Sequence, residues 1–144
     1  MDENLRNQVR AFNRFFAVKI RVFNRYVFGT SYSLVEGRVI GEIGRQRGCT
    51  ANQIAETLDM DKSYLSRVVG KLEGEGLLDK TVSETDSRKK HLFLTEKGQT
   101  LFDELENLSD VQVEEMLNGL SADQIEVLSQ SMRTIQGILG HENE

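Results

Sequence analysis

Proline is absent from this sequence, so helices can run long and breaks must be read from Gly, Asn, Asp and Ser. Cysteine is nearly absent: Cys49 has no partner for an internal disulfide. With only His91 and His141 beside it no Cys/His zinc set can be written, so neither a metal nor another cofactor is expected. Long apolar runs are missing too. Stretches such as Phe15 to Val18 fall far short of the roughly 20 residues that cross a bilayer. The acidic start Met1-Asp2-Glu3-Asn4 lacks the basic-then-apolar order of a secretory leader, so a cytoplasmic protein with no membrane partner is expected. No Ser/His/Asp order, Gly-rich phosphate loop or paired catalytic carboxylates have a scaffold here, and no enzyme is expected.

What is present is one domain's worth of chain: 144 residues, 38% hydrophobic and 28% charged, a balance that favours a folded domain over disorder. The net charge of −5 argues against a protein that coats nucleic acid indiscriminately. That average hides an asymmetry. Residues 1 to 97 carry 17 Lys/Arg against 13 Asp/Glu, whereas residues 98 to 144 carry 1 against 10. DNA binding depends on the local field where phosphates approach, so the acidic total does not exclude it.

Apolar residues at Leu5, Val9, Phe12, Phe16, Ile20, Phe23 and Val27 recur every three or four positions with arginines between them, which predicts one long amphipathic helix ending near Gly29. Ser33-Leu34-Val35-Glu36 has the form of a capping box and opens a second helix. Its Gly37, Gly41 and Gly44 predict close approach of another backbone. Thr50 to Gln53 repeats the box before a short helix, and after Asp59-Met60-Asp61 another runs from Asp61 or Lys62 to the glycines at 74 and 76. Leu77 to Val82 and His91 to Leu94 read as strands of a hairpin whose long tip is basic. Thr95 caps a helix that ends at Asn118-Gly119, and Ser121 to Gln124 boxes a last one. There Ile125, Leu128, Met132, Ile135 and Leu139 form a seam that packs on helices. The expected fold is mainly α with a small β-hairpin wing.

Helix, tight turn, helix and two-stranded wing is the winged helix-turn-helix arrangement, whose second helix enters the major groove. With Leu65, Val68, Val69 and Leu72 inward, that helix turns Lys62, Ser63, Tyr64, Ser66, Arg67, Gly70 and Lys71 wholly or partly outward. Hydroxyls and cations of this kind contact phosphates and base edges. At the wing tip Arg88, Lys89 and Lys90 offer three cations in a row, Arg suited to a narrow minor groove and Lys to phosphate. Asp86 makes sense there as a carboxylate that pins the Arg88 guanidinium or caps the turn. By composition alone the helix cluster reads equally as a solvated face, and the wing cluster reads first as a salt-bridged hairpin loop.

Asp86-x-Arg88 followed by Leu94-Thr95 and Lys97-Gly98 resembles the wing signature of the MarR family of bacterial and archaeal transcriptional regulators. Tyr64-Leu65-Ser66-Arg67-Val68-Val69 through Lys71-Leu72-Glu73 to Gly76-Leu77-Leu78 is similar to that family's recognition helix and wing entry. The resemblance spans essentially the whole chain. It implies an obligate homodimer, with dimerisation helices over 3–29 and 96–140 and a winged DNA-binding lobe at about 33–95. The difficulty of burying both the N-terminal stripe and the C-terminal seam in one small chain agrees. Phe12 to Phe16 and Ser33 to Val39 also resemble the MarR-like half of fusions with an acetyltransferase; with the sequence ending at Glu144, no acetyltransferase is expected. Asp59 stands where such turns often have glycine, so the turn is expected to be slightly altered.

These features imply a sequence-specific DNA-binding regulator, acting as a repressor on double-stranded DNA through an inverted repeat. MarR-like dimers commonly bind small aromatic or anionic molecules, and Phe12, Phe16, Tyr32 and Arg38 are the candidate lining of an effector site; the alternative is that these aromatics are core. Two rival readings remain: a protein-interaction adaptor that keeps the winged helix without reading DNA, and a redox sensor through Cys49, a thiol beside a helix N-terminus. The peroxide-sensing branch of the resembled family keeps its reactive cysteine in the first helix, where this sequence has Phe and Val. His91 is expected to touch phosphate or solvent, and His141 to lie in a frayed tail.

Overall fold

Three helices begin where the sequence writes capping boxes. Ser33, Thr50 and Ser121 each accept a hydrogen bond from the amide three residues on, and the side-chain oxygens of Glu36, Gln53 and Gln124 accept one from the cap N–H. Asp61 caps a fourth by accepting from Tyr64 N at 2.9 Å. The computed structural model describes residues 1–140 as α1 (Glu3–Lys19), a 3-10 turn (Val27–Gly29), α2 (Leu34–Arg45), α3 (Ala51–Leu58), α4 (Lys62–Gly74), β1 (Leu78–Val82), β2 (Lys90–Leu94), α5 (Glu96–Leu117) and α6 (Ala122–Leu139). The fold is mainly α with a β-hairpin wing, as expected; His141 lies outside the described residues. Among the described residues no helix is long and apolar enough to cross a membrane.

The first helix stops earlier than the apolar stripe predicts. It ends at Lys19, Arg21 takes a left-handed backbone (φ 57), and the chain turns before Val27. Clustered β-branched residues Val18, Ile20 and Val22 weaken the helix there. Tertiary docking then decides: Val27 N donates to Tyr32 O at 2.7 Å, and the Val27 side chain sits on α2 against Gly37. The α2 glycines are also corrected, because side chains approach them rather than a backbone. A Cβ at Gly37 would meet Val27, one at Gly41 the Arg45 guanidinium, and one at Gly44 would stand 2.3 Å from the Phe102 ring. Asp59 does adopt the left-handed conformation (φ 49, ψ 51) that the α3–α4 turn requires.

The chain divides into two units, residues 1–109 and 110–144. In the first, α2, α3, α4, the wing and the start of α5 close over one core. Val39, Ile40 and Ile43 meet Ile54, Leu65, Val69, Leu72, Leu77, Leu78, Leu92, Leu101 and Leu105, all nearly inaccessible to solvent. Each such side chain contributes about 1.5–3 kcal/mol on burial, which fixes α4 rigidly beneath its exposed face. The second unit holds the end of α5 and α6, and no residue of α6 is buried. Leu128 is 38% exposed and Leu139 65%, so the apolar seam is open in a single chain.

The hairpin is antiparallel, pairing Leu78 with Leu94 and Val82 with Lys90. A third edge that the sequence reading lacks lies on β2: Gly48 N donates to Leu92 O (3.0 Å), Leu92 N to Cys49 O (2.8 Å), and Thr50 bridges His91.

Candidate nucleic-acid interface

A helix turning 3.6 residues per turn, with Leu65, Val68, Val69 and Leu72 buried, sends Ser63, Arg67 and Gly70 directly away from the core. Lys62 and Ser66 fall on one flank of that stripe and Tyr64 and Lys71 on the other. Every one of these side chains is exposed. The Arg67 guanidinium lies 5.7 Å from the Tyr64 ring, a cation–π contact that steadies it while leaving its donors free. Among the described residues Lys62, Arg67, Lys89 and Lys90 form no ion pair. Exposed cations without an ion-pair partner are the kind that draw phosphate.

The wing tip is built around one carboxylate. Asp86 Oδ1 accepts from Arg88 N at 3.0 Å and from Arg88 Nε at 3.3 Å. Ser83 Oγ accepts from Asp86 N, and Lys89 N donates to Asp86 O. The hydrogen bonds from the Arg88 backbone and then its side chain hold the Asp86 carboxyl below its ordinary value. Asp86 thus both caps the turn and orients the fork, while the Arg88 side chain stays 90% exposed. At the wing base Gly98 packs where any side chain would collide with Leu77 O, and Thr95 Oγ donates to Gly76 O at 2.6 Å. The Gly98 of the wing signature therefore has a steric cause, while Lys97 Nζ donates to Glu75 O at 2.9 Å.

α4 is braced on both flanks. Lys80 of β1 reaches Glu73 at 3.5 Å, and Lys71 reaches Glu36 of α2 at 2.6 Å. The second pair engages the Lys71 ammonium with a carboxylate, unlike the ammoniums of Lys62, Lys89 and Lys90 among the described residues. Burial works to raise the Glu36 carboxyl, but hydrogen bonds from Lys71 and Ser33 outweigh it and leave it below its ordinary value. The His91 Nδ1 donates to Gly48 O at 2.7 Å, tying the third edge to β2. Arg47, not singled out from the sequence, stacks on Phe93 beside that edge at 5.8 Å.

The other candidates scatter. Phe12 and Phe16 stack on α1 with centroids 5.8 Å apart and remain exposed. Tyr32 packs against the lobe core and Arg38 is exposed on α2. No hydrogen bond, ring contact or ion pair joins the two pairs among the described residues. Cys49 is buried, and burial pushes its thiol up, away from the thiolate that the redox reading needs.

The model of the MarR family matches residues 29–89, which run from the turn before α2 to the wing tip. The HTH-type transcriptional regulator PetP of Rhodobacter capsulatus is 32% identical over 116 residues, 78% of this chain and 68% of that protein. The structure of Streptococcus pneumoniae FabT in complex with DNA superposes with a TM-score of 0.73 at 23% identity, covering 96% of this chain and 98% of that one. Bordetella bronchiseptica BpsR, whose DNA binding is regulated by 6-hydroxynicotinic acid, gives 0.73 at 16% identity over 90% and 98%.

Proposed function

The chain belongs to the MarR family of transcriptional regulators, and from that premise we propose that it is a homodimeric, sequence-specific DNA-binding repressor acting on an inverted repeat. One observation carries the reading: a rigidly backed α4 presents Ser63 and Arg67 outward, beside a wing whose Arg88 is oriented by Asp86 and exposed. Ser63, Ser66 and Arg67 read base edges, Tyr64 steadies Arg67, and Lys62, Lys89 and Lys90 meet phosphates. Arg88 enters the minor groove. The second copy covers the exposed seam of α6 and the apolar face of α1, since faces of that extent are costly to leave in water. The lobe takes residues 33–95 and the dimer base residues 3–29 and 96–140. A small aromatic acid is the effector class that suits the stacked Phe12 and Phe16 together with Tyr32 and a cation at Arg38. Release from the operator by that ligand follows from stabilising a dimer geometry that does not fit DNA.

Genomic fragment selection with the purified protein tests the proposal. It should enrich an inverted repeat whose half-site centres lie about 34–36 Å apart, one duplex turn. Recovery of no preferred sequence at low salt contradicts it and favours the adaptor reading, in which replacing Lys62, Arg67 and Arg88 together leaves activity intact.

A further inference from the structure

The cations of α4 are not equivalent. Lys62 and Arg67 have no carboxylate partner among the described residues, whereas Lys71 Nζ lies 2.6 Å from Glu36 Oε2 and 4.0 Å from Glu75 Oε1. Glu36 is only 8% exposed, and its other oxygen, Oε1, accepts from Ser33 N at 2.8 Å. A single carboxylate thus closes the N-terminus of α2 and grips the far end of α4. Two carboxylates face the Lys71 ammonium and offset its charge, which weakens its pull on phosphate. Nearby, burial first and then Glu75 and Glu36 push the Tyr32 hydroxyl above its ordinary value, with Lys71 opposing them. The opposite flank is held by Lys80 and Glu73.

We infer that Glu36, acting through Lys71, is a positioning residue that trims the seating of α4 on its apolar core and so the aim of Ser63 and Arg67, and that Lys71 contacts no phosphate. The inference rests on the DNA-binding reading above. Losing the pair removes a polar restraint from one flank and lets the exposed face shift slightly on its packed core, which blurs base readout while leaving the backbone-contacting cations intact. Specific and non-specific binding therefore respond differently, as they do not when a variant is simply less folded.

The test is a salt titration of Lys71→Met, Glu36→Gln, the double variant and Lys71→Arg on the selected operator and on a scrambled duplex. Lys71→Met removes the charge of an exposed side chain and keeps its stem; Glu36→Gln keeps an oxygen for the α2 cap. Each single variant should weaken operator binding about tenfold, and the double variant no more than the worse single, as coupled partners do. Scrambled-duplex affinity and the salt slope should match the wild type, and Lys71→Arg should retain specificity. A Lys71→Met variant that weakens both duplexes equally and lowers the slope by about one makes Lys71 a phosphate contact and overturns the inference. Tighter binding by Glu36→Gln on both duplexes overturns it too, because it means Glu36 was restraining a phosphate ligand. Equal loss on both duplexes at unchanged slope reduces the pair to fold stability and likewise overturns it. A wild-type protein that does not prefer the operator refutes the regulator reading itself, and the inference falls with it.

Discussion

Arg88 and Arg67 carry the same charge in different settings, and the settings separate their roles. Arg88 stands 90% exposed at the wing tip with Asp86 as its only carboxylate partner among the described residues. Arg88→Ala should weaken binding to most sequences and lower the salt slope by about one. Asp86→Ala should give a milder form of the same loss, because it frees the fork without removing it. Arg67→Ala should instead relax base preference, with about 1–3 kcal/mol of discrimination lost for a bidentate contact. Salt titrations of the three variants on operator and scrambled duplexes measure both quantities; an Arg88→Ala protein with unchanged affinity and slope makes the wing a structural hairpin. Cys49 makes the opposite case, a nucleophile removed from use by packing. Its thiol is 4% exposed and raised by burial, so the native protein should react with an aromatic disulfide reagent at least about a hundredfold more slowly than the unfolded chain. Equal rates would restore the redox reading.

Among elements, α2 joins recognition helix to α5, and its packing is unforgiving at one point. A methyl at Gly44 would stand 2.3 Å from the Phe102 ring, beside the Arg45 to Glu106 ion pair at 3.2 Å. Alanine favours a helix interior over glycine by about 1 kcal/mol. Gly44→Ala should nevertheless destabilise the protein by about 1–3 kcal/mol as the ring is displaced; chemical denaturation measures it, and a stabilised variant would mean the ring moves freely. How legible the elements were in the sequence follows from the range of the forces that make them. The boxes at Ser33, Thr50 and Ser121, the left-handed Asp59 and the stop at Gly119 are local, and each stands where the residues placed it. The inward stripe of α4 and the Asp86 to Arg88 clasp were equally readable, since neighbours within one turn make them. The end of α1 was not, because Val27 leaves the helix to dock on α2 and no Gly or Pro marks the break. Nor were the third edge at Gly48 to Thr50, too short to carry a period, or the engagement of Lys71 by Glu36 across 35 positions of sequence.

At the scale of the whole molecule, the account depends on two copies presenting two recognition helices at a fixed spacing. In a single chain the apolar seam of α6 stays open, and in the proposed dimer a second copy covers it. Changing Leu128 and Ile135 together to charged residues should cost the dimer or the protein's solubility, as sedimentation reads it; a soluble folded monomer with normal DNA binding would contradict the assigned seam. The most direct measurement is the equilibrium affinity of the wild-type protein for its selected operator and for the same operator with about five base pairs, half a turn, inserted between the half-sites. The insertion rotates one half-site to the far face of the duplex, so tight binding should be lost and only the non-specific level should remain. Unchanged affinity would show that the subunits do not read DNA as a fixed pair, and the central claim would be wrong.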